Sequence, residues 1–351
     1  MTDVPAFSPA DTLRMREALA LAEGAIGLCE PNPRVGCVIV AADGSQVLGR
    51  GHTQAAGDAH AEVVALRDAG AAASSLRGAT AYVSLEPCSH HGRTPPCCDA
   101  LIAAGLARVV VAVGDPNPLV AGEGIARLRA AGIQVDVGLL ADEAREANLG
   151  FFSRMQRGRP WVRAKVAISL DGRTALPNGA SQWITSPAAR TDTHAWRRRA
   201  GAVLTGVGTV IDDDPRLDVR LVETPRQPWR VIVDSRLDTP PGARILDAPG
   251  QVLVYAAVPS PERGAALQAR GVNELHVEAG AKLNGSFVRE DLVDEWLVYV
   301  APRLLGSGRD LAAFGPLQSL DQSVNLRLQA VDRIGPDLRL LLRRAGGETS
   351  A

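Results

Sequence analysis

His60-Ala61-Glu62, followed further along by Pro87-Cys88-Ser89-His90-His91-Gly92-Arg93-Thr94-Pro95-Pro96-Cys97, is the stretch on which the fold of this chain turns. It alternates helix and strand signals. Asp58 can cap a helix carrying His60, Glu62 and the apolar Val63, Val64 and Leu66. Ala79 to Leu85 reads as a strand, and Pro95-Pro96 opens a helix through Leu106. His60 then lies in a first helical turn and Cys97 starts the next helix, where unpaired N–H groups favour a thiolate. One imidazole and two thiols can hold a zinc ion tetrahedrally and leave the fourth position to water. Glu62 stands two residues from His60, close enough to reach that water.

The alternation continues outward. Ser8-Pro9-Ala10-Asp11 starts a helix that should run to about Leu28. Val35 to Ala41 and Gln46 to Arg50 read as a strand pair turning at Asp43-Gly44. Val109 to Val113, Gly122 to Ala131 and Val135 to Val137 extend the pattern, which implies an α/β sandwich around a mostly parallel sheet. Phe151 to Pro160 breaks it and reads as a junction, giving domains 1–150 and 151–351. Beyond lie strands at Trp161 to Leu170, Ala202 to Thr205, Val231 to Val233, Val252 to Tyr255 and Leu275 to Val277. Ser186-Pro187 opens a helix to Arg199, Asp291 to Asp294 ends another, and Trp296 to Val300 suits a central strand. The last strands fall between Leu326 and Leu342, and no internal repeat relates the halves.

At 351 residues, 46% hydrophobic and 22% charged, the chain has material for two globular cores. A net charge of −1 offers no global field for DNA or RNA. No run of about 18 apolar residues is present, so no membrane span is expected. Met1-Thr2-Asp3-Val4-Pro5 lacks the basic and apolar regions of a signal peptide. Cys29, Cys37, Cys88, Cys97 and Cys98 are an odd number for a disulfide framework and suit a reducing cytoplasm, with Cys29 and Cys37 as core residues.

The metal candidates carry the H-x-E…P-C signature of zinc deaminases, although eight residues separate Cys88 from Cys97 where that signature has two. A structural zinc, with Cys98 or His90 as fourth ligand, is the competing interpretation. Pro31-Asn32-Pro33-Arg34-Val35-Gly36-Cys37-Val38, His60-Ala61-Glu62 and Glu86 through Cys97 together resemble the deaminase half of the bifunctional riboflavin-biosynthesis deaminase/reductase family. The long insert with His-Gly-Arg-Thr-Pro-Pro is the specific part. The resemblance implies a cytidine-deaminase-like three-layer sandwich with Zn2+ on His60, Cys88 and Cys97. It makes Glu62 the proton carrier and puts Asn32 against the substrate, a phosphorylated ribosylaminopyrimidine. The family pattern has histidine where Thr53 stands and an aromatic where His52 stands.

Lys165 through Arg173, Ser181 through Ser186, Gly206-Val207-Gly208-Thr209, Asp212 through Pro215 and Glu278 through Gly285 resemble the reductase half of the same family. That half implies a dihydrofolate-reductase-like domain using NADPH. Gly206-x-Gly208 lacks the third glycine of a dinucleotide fingerprint, so the residues alone say less here. The resemblance implies that Ala167, Trp183, Thr209, Asp213 and Ser235 contact the cofactor, with Gly280, Ala281, Lys282, Leu283, Asn284, Gly285 and Ser286 in a loop opening a helix. It gives Lys165, Ser181, Arg197, Leu217, Arg220 and Glu278 to the substrate, with Arg197 and Arg220 able to grip its phosphate bidentately. Glu-Gly-Gly is common in the family where Glu278-Ala279-Gly280 stands. Small-molecule substrates, no nucleic acid, no membrane and homo-oligomers joined through the reductase half complete the expectation.

Two other functions fit parts of the chain. A deaminase of tRNA or a free nucleoside predicts a basic groove and gives residues 160–350 no use. A zinc-stabilised nucleotide-binding module predicts metal without turnover.

Overall fold

The computed structural model describes residues 7–70, 76–90, 92, 95–118, 120–256 and 266–345. His91, Arg93 and Thr94 of the insert lie outside the described residues. The chain divides into two compact units, Met1–Arg157 and Gly158–Ala351.

The first unit begins with α1 (Pro9–Ala22), where Ser8 and Asp11 form a reciprocal capping box and proline takes the first turn. The helix stops well short of Leu28, passing through a 3-10 turn at Glu23–Ala25. Strands β1 (Gly36–Val40) and β2 (Val47–His52) form the hairpin. Then come α2 (Ala61–Asp68), β3 (Thr80–Val83), α3 (Cys97–Ala103), β4 (Arg108–Val111), α4 (Glu123–Ala130), β5 (Gln134–Val137), α5 (Ala141–Ala147) and α6 (Leu149–Arg157). The expected junction at 151–160 is thus largely α6, which belongs to the first unit.

The sheet order is β2-β1-β3-β4-β5. It is mixed rather than mostly parallel: β1 runs antiparallel to both β2 and β3, while β3, β4 and β5 are parallel. The hairpin reverses β2 beside β1. The crossover through α2 then returns the chain parallel to β2 on the far side of β1. Helices lie directly on the strands: a Cβ on Gly36 would meet Ala18 O at 1.8 Å, and one on Gly51 would meet Ala61 O at 2.2 Å. Met15, Ile39, Leu85, Leu101 and Leu128 are among the fully buried core residues.

The second unit contains β6 (Trp161–Ser169), α7 (Pro187–Arg199), β7 (Ala202–Gly206), α8 (Val207–Asp213), β8 (Trp229–Val233), α9 (Arg244–Asp247) and β9 (Val252–Tyr255). It continues with β10 (Glu274–Val277), α10 (Ala281–Arg289), β11 (Glu295–Ala301) and the hairpin β12 (Leu326–Ile334) and β13 (Asp337–Arg344). The helix expected to end at Asp291 to Asp294 stops at Arg289, and Asp291 takes a left-handed backbone (φ 52°). The sheet order is β12-β13-β11-β6-β10-β7-β8-β9, parallel from β11 to β9 with the antiparallel hairpin on one edge. Among the described residues no helix is long and apolar enough to cross a membrane.

Candidate active sites

His60 is the N-cap of α2, in extended backbone (φ −76°, ψ 166°), rather than a residue of its first turn, and Asp58 does not cap. The imidazole makes no capping bond and turns toward the two sulfurs. Its Nδ1 lies 3.2 Å from Cys97 Sγ and 3.5 Å from Cys88 Sγ. Cys97 opens α3, and its backbone N–H donates to Cys88 Sγ at 3.3 Å. The three ligand atoms lie within 4.8 Å of one another. Tetrahedral zinc, with bonds of about 2.0 Å to nitrogen and 2.3 Å to sulfur, sets such atoms about 3.5 to 3.8 Å apart. The donor set fits Zn2+. Among the described residues no fourth ligand joins the cluster. Cys98 faces away, its thiol against Pro87 O at 3.3 Å and Gly124 O at 3.5 Å.

Glu62 sits in the first turn of α2 and is 3% exposed. Burial, then the Cys88 charge, pushes its carboxyl up to about 7. The Cys97 hydrogen bond lowers Cys88 to about 4 against burial, with His60 helping, and Cys97 rises correspondingly. A carboxyl that changes protonation near neutrality beside a metal-ligand set is suited to carrying protons.

A cavity of about 390 Å³ opens over this cluster, walled by Asn32, His60, Glu62 and Cys88 together with Thr53, His90, Asp115, Asn117 and Phe151. Thr53 is occupied structurally, its hydroxyl accepting Val35 N–H at 3.1 Å, and His52 packs under Gly24. Asp115 and Asn117 were not singled out from sequence. They lie in a loop after β4, at the carboxyl end of a parallel strand where α/β sheets bind ligands. Burial pushes Asp115 up to about 6. Buried Glu86 holds this loop by accepting N–H groups from Asp115, Gly122 and Ile125 at 3.2, 3.0 and 3.1 Å.

In the second unit a cavity of about 450 Å³ gathers Lys165, Ala167, Ser181, Trp183, Arg197, Thr209, Asp213, Leu217, Arg220, Glu278, Gly280 and Ala281. Ser181 Oγ donates to Asp213 Oδ1 at 3.0 Å. Leu217 is buried with a left-handed backbone (φ 52°), a strained state typical of functional loops. Gly280 caps α10, which has no side-chain cap. A Cβ on Gly208 would meet nothing, and one on Gly280 only Thr209 Oγ1 at 3.7 Å. The fold itself does not require glycine there, and the open, uncapped helix start fits the pyrophosphate of NADPH.

Several expected contacts are not brought to this wall, namely Ser235, Lys282, Leu283, Asn284, Gly285 and Ser286. Successive helix residues turn through 100°, so only the start of α10 faces the opening. Asn284 is buried, its Nδ2 donating to Ala279 O at 3.1 Å and Leu311 O at 3.0 Å. Gly285 is glycine because a Cβ would strike Ala313 O at 1.9 Å. Leu283 packs into an apolar cluster, and Ser286 Oγ donates to Lys282 O at 3.2 Å. Nor is Arg197 a free phosphate fork. It is 8% exposed, with Nε and Nη2 already on Glu278 at 2.5 and 3.0 Å. Arg220 is more open, its Nη1 on Asp218 Oδ1 at 2.7 Å. Burial alone would raise the Glu278 carboxyl, but Arg197 and Lys165 hold it well below the usual range.

Residues 9–113 match the cytidine and deoxycytidylate deaminase zinc-binding region, and residues 160–340 match the RibD C-terminal domain. The riboflavin biosynthesis protein RibD of Escherichia coli K12 is 44% identical, over 95% of this chain and 99% of its own. The chain belongs to the RibD family. An Acinetobacter baumannii RibD structure aligns with a TM-score of 0.89 at 43% identity, covering 96% of this chain and 99% of that one. A Thermotoga maritima structure, described as a diaminohydroxyphosphoribosylaminopyrimidine deaminase/5-amino-6-(5-phosphoribosylamino)uracil reductase, gives 0.89 at 32% identity with the same coverage. As a RibD-family member the chain is a bifunctional deaminase and reductase of riboflavin biosynthesis, with Zn2+ and NADPH as cofactors. A tRNA or nucleoside deaminase is not favoured, since the RibD C-terminal match accounts for the half that it would leave idle.

Proposed function

We propose that the first unit deaminates 2,5-diamino-6-ribosylamino-4(3H)-pyrimidinone 5′-phosphate, and that the second reduces the ribosyl chain of the product, the activities described for the Thermotoga protein. The observation that carries this is the meeting of His60, Cys88 and Cys97 within 4.8 Å beside buried Glu62 in an open cavity. His60, Cys88 and Cys97 would hold Zn2+, which would supply the Lewis-acid charge that makes water a nucleophile at neutral pH. Glu62 would carry the two protons of the attacking water in turn, the first to the ring nitrogen and the second to the leaving amine, so that amine and water become carbonyl and ammonia. Asn32, which lines the same cavity, orients the pyrimidine.

In the second unit Ala167, Trp183, Thr209, Asp213, Gly280 and Ala281 line the cavity and would hold NADPH, which would supply the hydride for reduction at C1′ of the opened ribose. Ser181, Leu217, Arg220 and Lys165 orient the substrate, and Arg197 acts by fixing Glu278 against it. We assign the deaminase to the first compact unit and the reductase to the second, which moves the boundary from the expected 150/151 to 157/158, past the end of α6. Exposed Leu326, Leu328, Val331 and Leu338 on the terminal hairpin support assembly through the second unit, and the odd count of five cysteines supports a cytoplasmic setting. Incubating the pure protein with the diaminopyrimidine phosphate should release ammonia and then consume NADPH. No ammonia would refute the first assignment, and ammonia without NADPH loss the second.

A further inference from the structure

Two hydrogen-bond donors meet at the wall of the second cavity with no acceptor between them. His194 lies on α7, lines the cavity and is 4% exposed. Its Nδ1 accepts the backbone N–H of Arg220 at 3.1 Å. A neutral imidazole carries one hydrogen, so this bond assigns it to Nε2. Burial, then the charges of Arg197 and Arg220, lowers the His194 pKa to about 4, which keeps the ring neutral at pH 7. Nε2–H must therefore donate. Yet its neighbour, at 3.5 Å, is Arg197 Nη1, which is also a donor.

Nearby acceptors are already engaged. Glu278 takes Arg197 Nε and Nη2, and the Asp218 carboxylate takes Arg216 and Arg220. Asp218 O takes one hydrogen of Arg197 Nη1 at 3.0 Å, leaving the other for the same space as His194 Nε2–H. Among the described residues no acceptor stands against Nε2–H, and a buried donor left without one is costly.

We infer that His194 Nε2–H and Arg197 Nη1–H jointly bind one oxygen of a phosphate ester, the 5′-phosphate of the reductase substrate. An oxygen about 2.9 Å from each donor spans a gap of this size. Such an oxygen accepts both bonds and brings no hydrogen of its own, and Arg220 adds charge from the same wall. His194 becomes a binding residue of the reductase, and Arg197 contributes its one uncommitted hydrogen rather than a bidentate fork. This rests on the reductase assignment above.

The test separates the two claims. Calorimetric binding of ribose 5-phosphate needs no turnover, so it tests His194 even if NADPH is never consumed. His194→Ala should weaken it about tenfold or more. His194→Gln, which carries an N–H to the position of Nε2, should retain most of the affinity. His194→Asn, whose amide reaches only the Nδ1 position, should not. Equal affinities for the Gln and Asn variants would overturn the proposal, and this comparison stands if the Ala variant does not fold. In turnover, KM for the phosphorylated substrate should rise with little change in kcat, while the dephosphorylated analogue is unaffected. Equal losses for both would mean that His194 only shapes the pocket. A fall in NADPH preference over NADH would instead assign the oxygen to the cofactor's phosphate and refute the substrate assignment.

Discussion

Replacing Glu62 with glutamine isolates the proton carrier from the metal. The side chain is 3% exposed at the start of α2, and glutamine keeps its volume and reach, so the core around it has no reason to move. What disappears is the ability to give and take a proton. Positioned acid–base transfer contributes about 10² to 10⁴ in rate, which is about 2.7 to 5.4 kcal/mol at 1.36 kcal/mol per decade. Glu86 cannot substitute, because its carboxylate accepts three backbone N–H groups. Ammonia release should fall by that factor while zinc, measured by atomic absorption, stays near one ion per chain. NADPH consumption with deaminated pyrimidine supplied should be unchanged, since Glu62 belongs to a unit with its own core. Zinc lost together with activity would make Glu62 a ligand and refute the mechanism, as would ammonia release within tenfold of the native rate.

Cys97→Ser should lose zinc and ammonia release, whereas Cys98→Ser should keep both and cost only about 1 kcal/mol of stability; equal metal loss would mean that the wrong thiol was chosen. Asp11 is pushed up by burial, but bonds from Arg108, Ser8 and Tyr82 outweigh this and hold it below the usual carboxylate range. Its folded pKa is depressed, so its contribution is full above about 3.8 and fades as pH falls below that value. Asp11→Asn should therefore destabilise the first unit by about 1.5 to 3 kcal/mol at neutral pH, with the gap to the native protein closing in acid. Unfolding curves that stay equally separated at pH 3 would contradict this. Gly285→Ala should lower the thermal midpoint of the ligand-free protein, since Ala313 O lies 1.9 Å from the new Cβ, at about 1 to 3 kcal/mol. An unchanged midpoint with weakened NADPH binding would instead restore Gly285 to the cofactor site.

The elements legible in sequence were those set by local chemistry. Ser186-Pro187 marked the start of α7 and the Ser8–Asp11 box that of α1, because caps act over three or four residues. The end of α1 was not legible: Glu23–Ala25 tightens into a 3-10 turn although the alanine-rich composition continues. Strand direction was also hidden. Nothing in Gly36–Val40 records that the strand runs against both neighbours, because that follows from where the chain re-enters the sheet after α2.

The two sites differ for the same reason. His60, Glu62, Cys88 and Cys97 are held by two helix starts and one loop, so their spacing along the chain nearly encodes their meeting in space. The second cavity is assembled from strand ends and helix starts far apart in sequence, and there type and spacing say little. Arg197, inside the run Arg197-Arg198-Arg199, was expected to reach the substrate phosphate as a free fork. Helix rotation instead buries Arg197 against Glu278 and sends Arg199 to Glu274. One local signal was available. His194 precedes Arg197 by three residues on α7, so the two share a helix face. With His194 Nδ1 taken by the Arg220 N–H, both side chains turn donors toward one another, and among the described residues no acceptor stands between them. That deficit in hydrogen-bond accounting, rather than any motif, is what marks this wall as built for an anion.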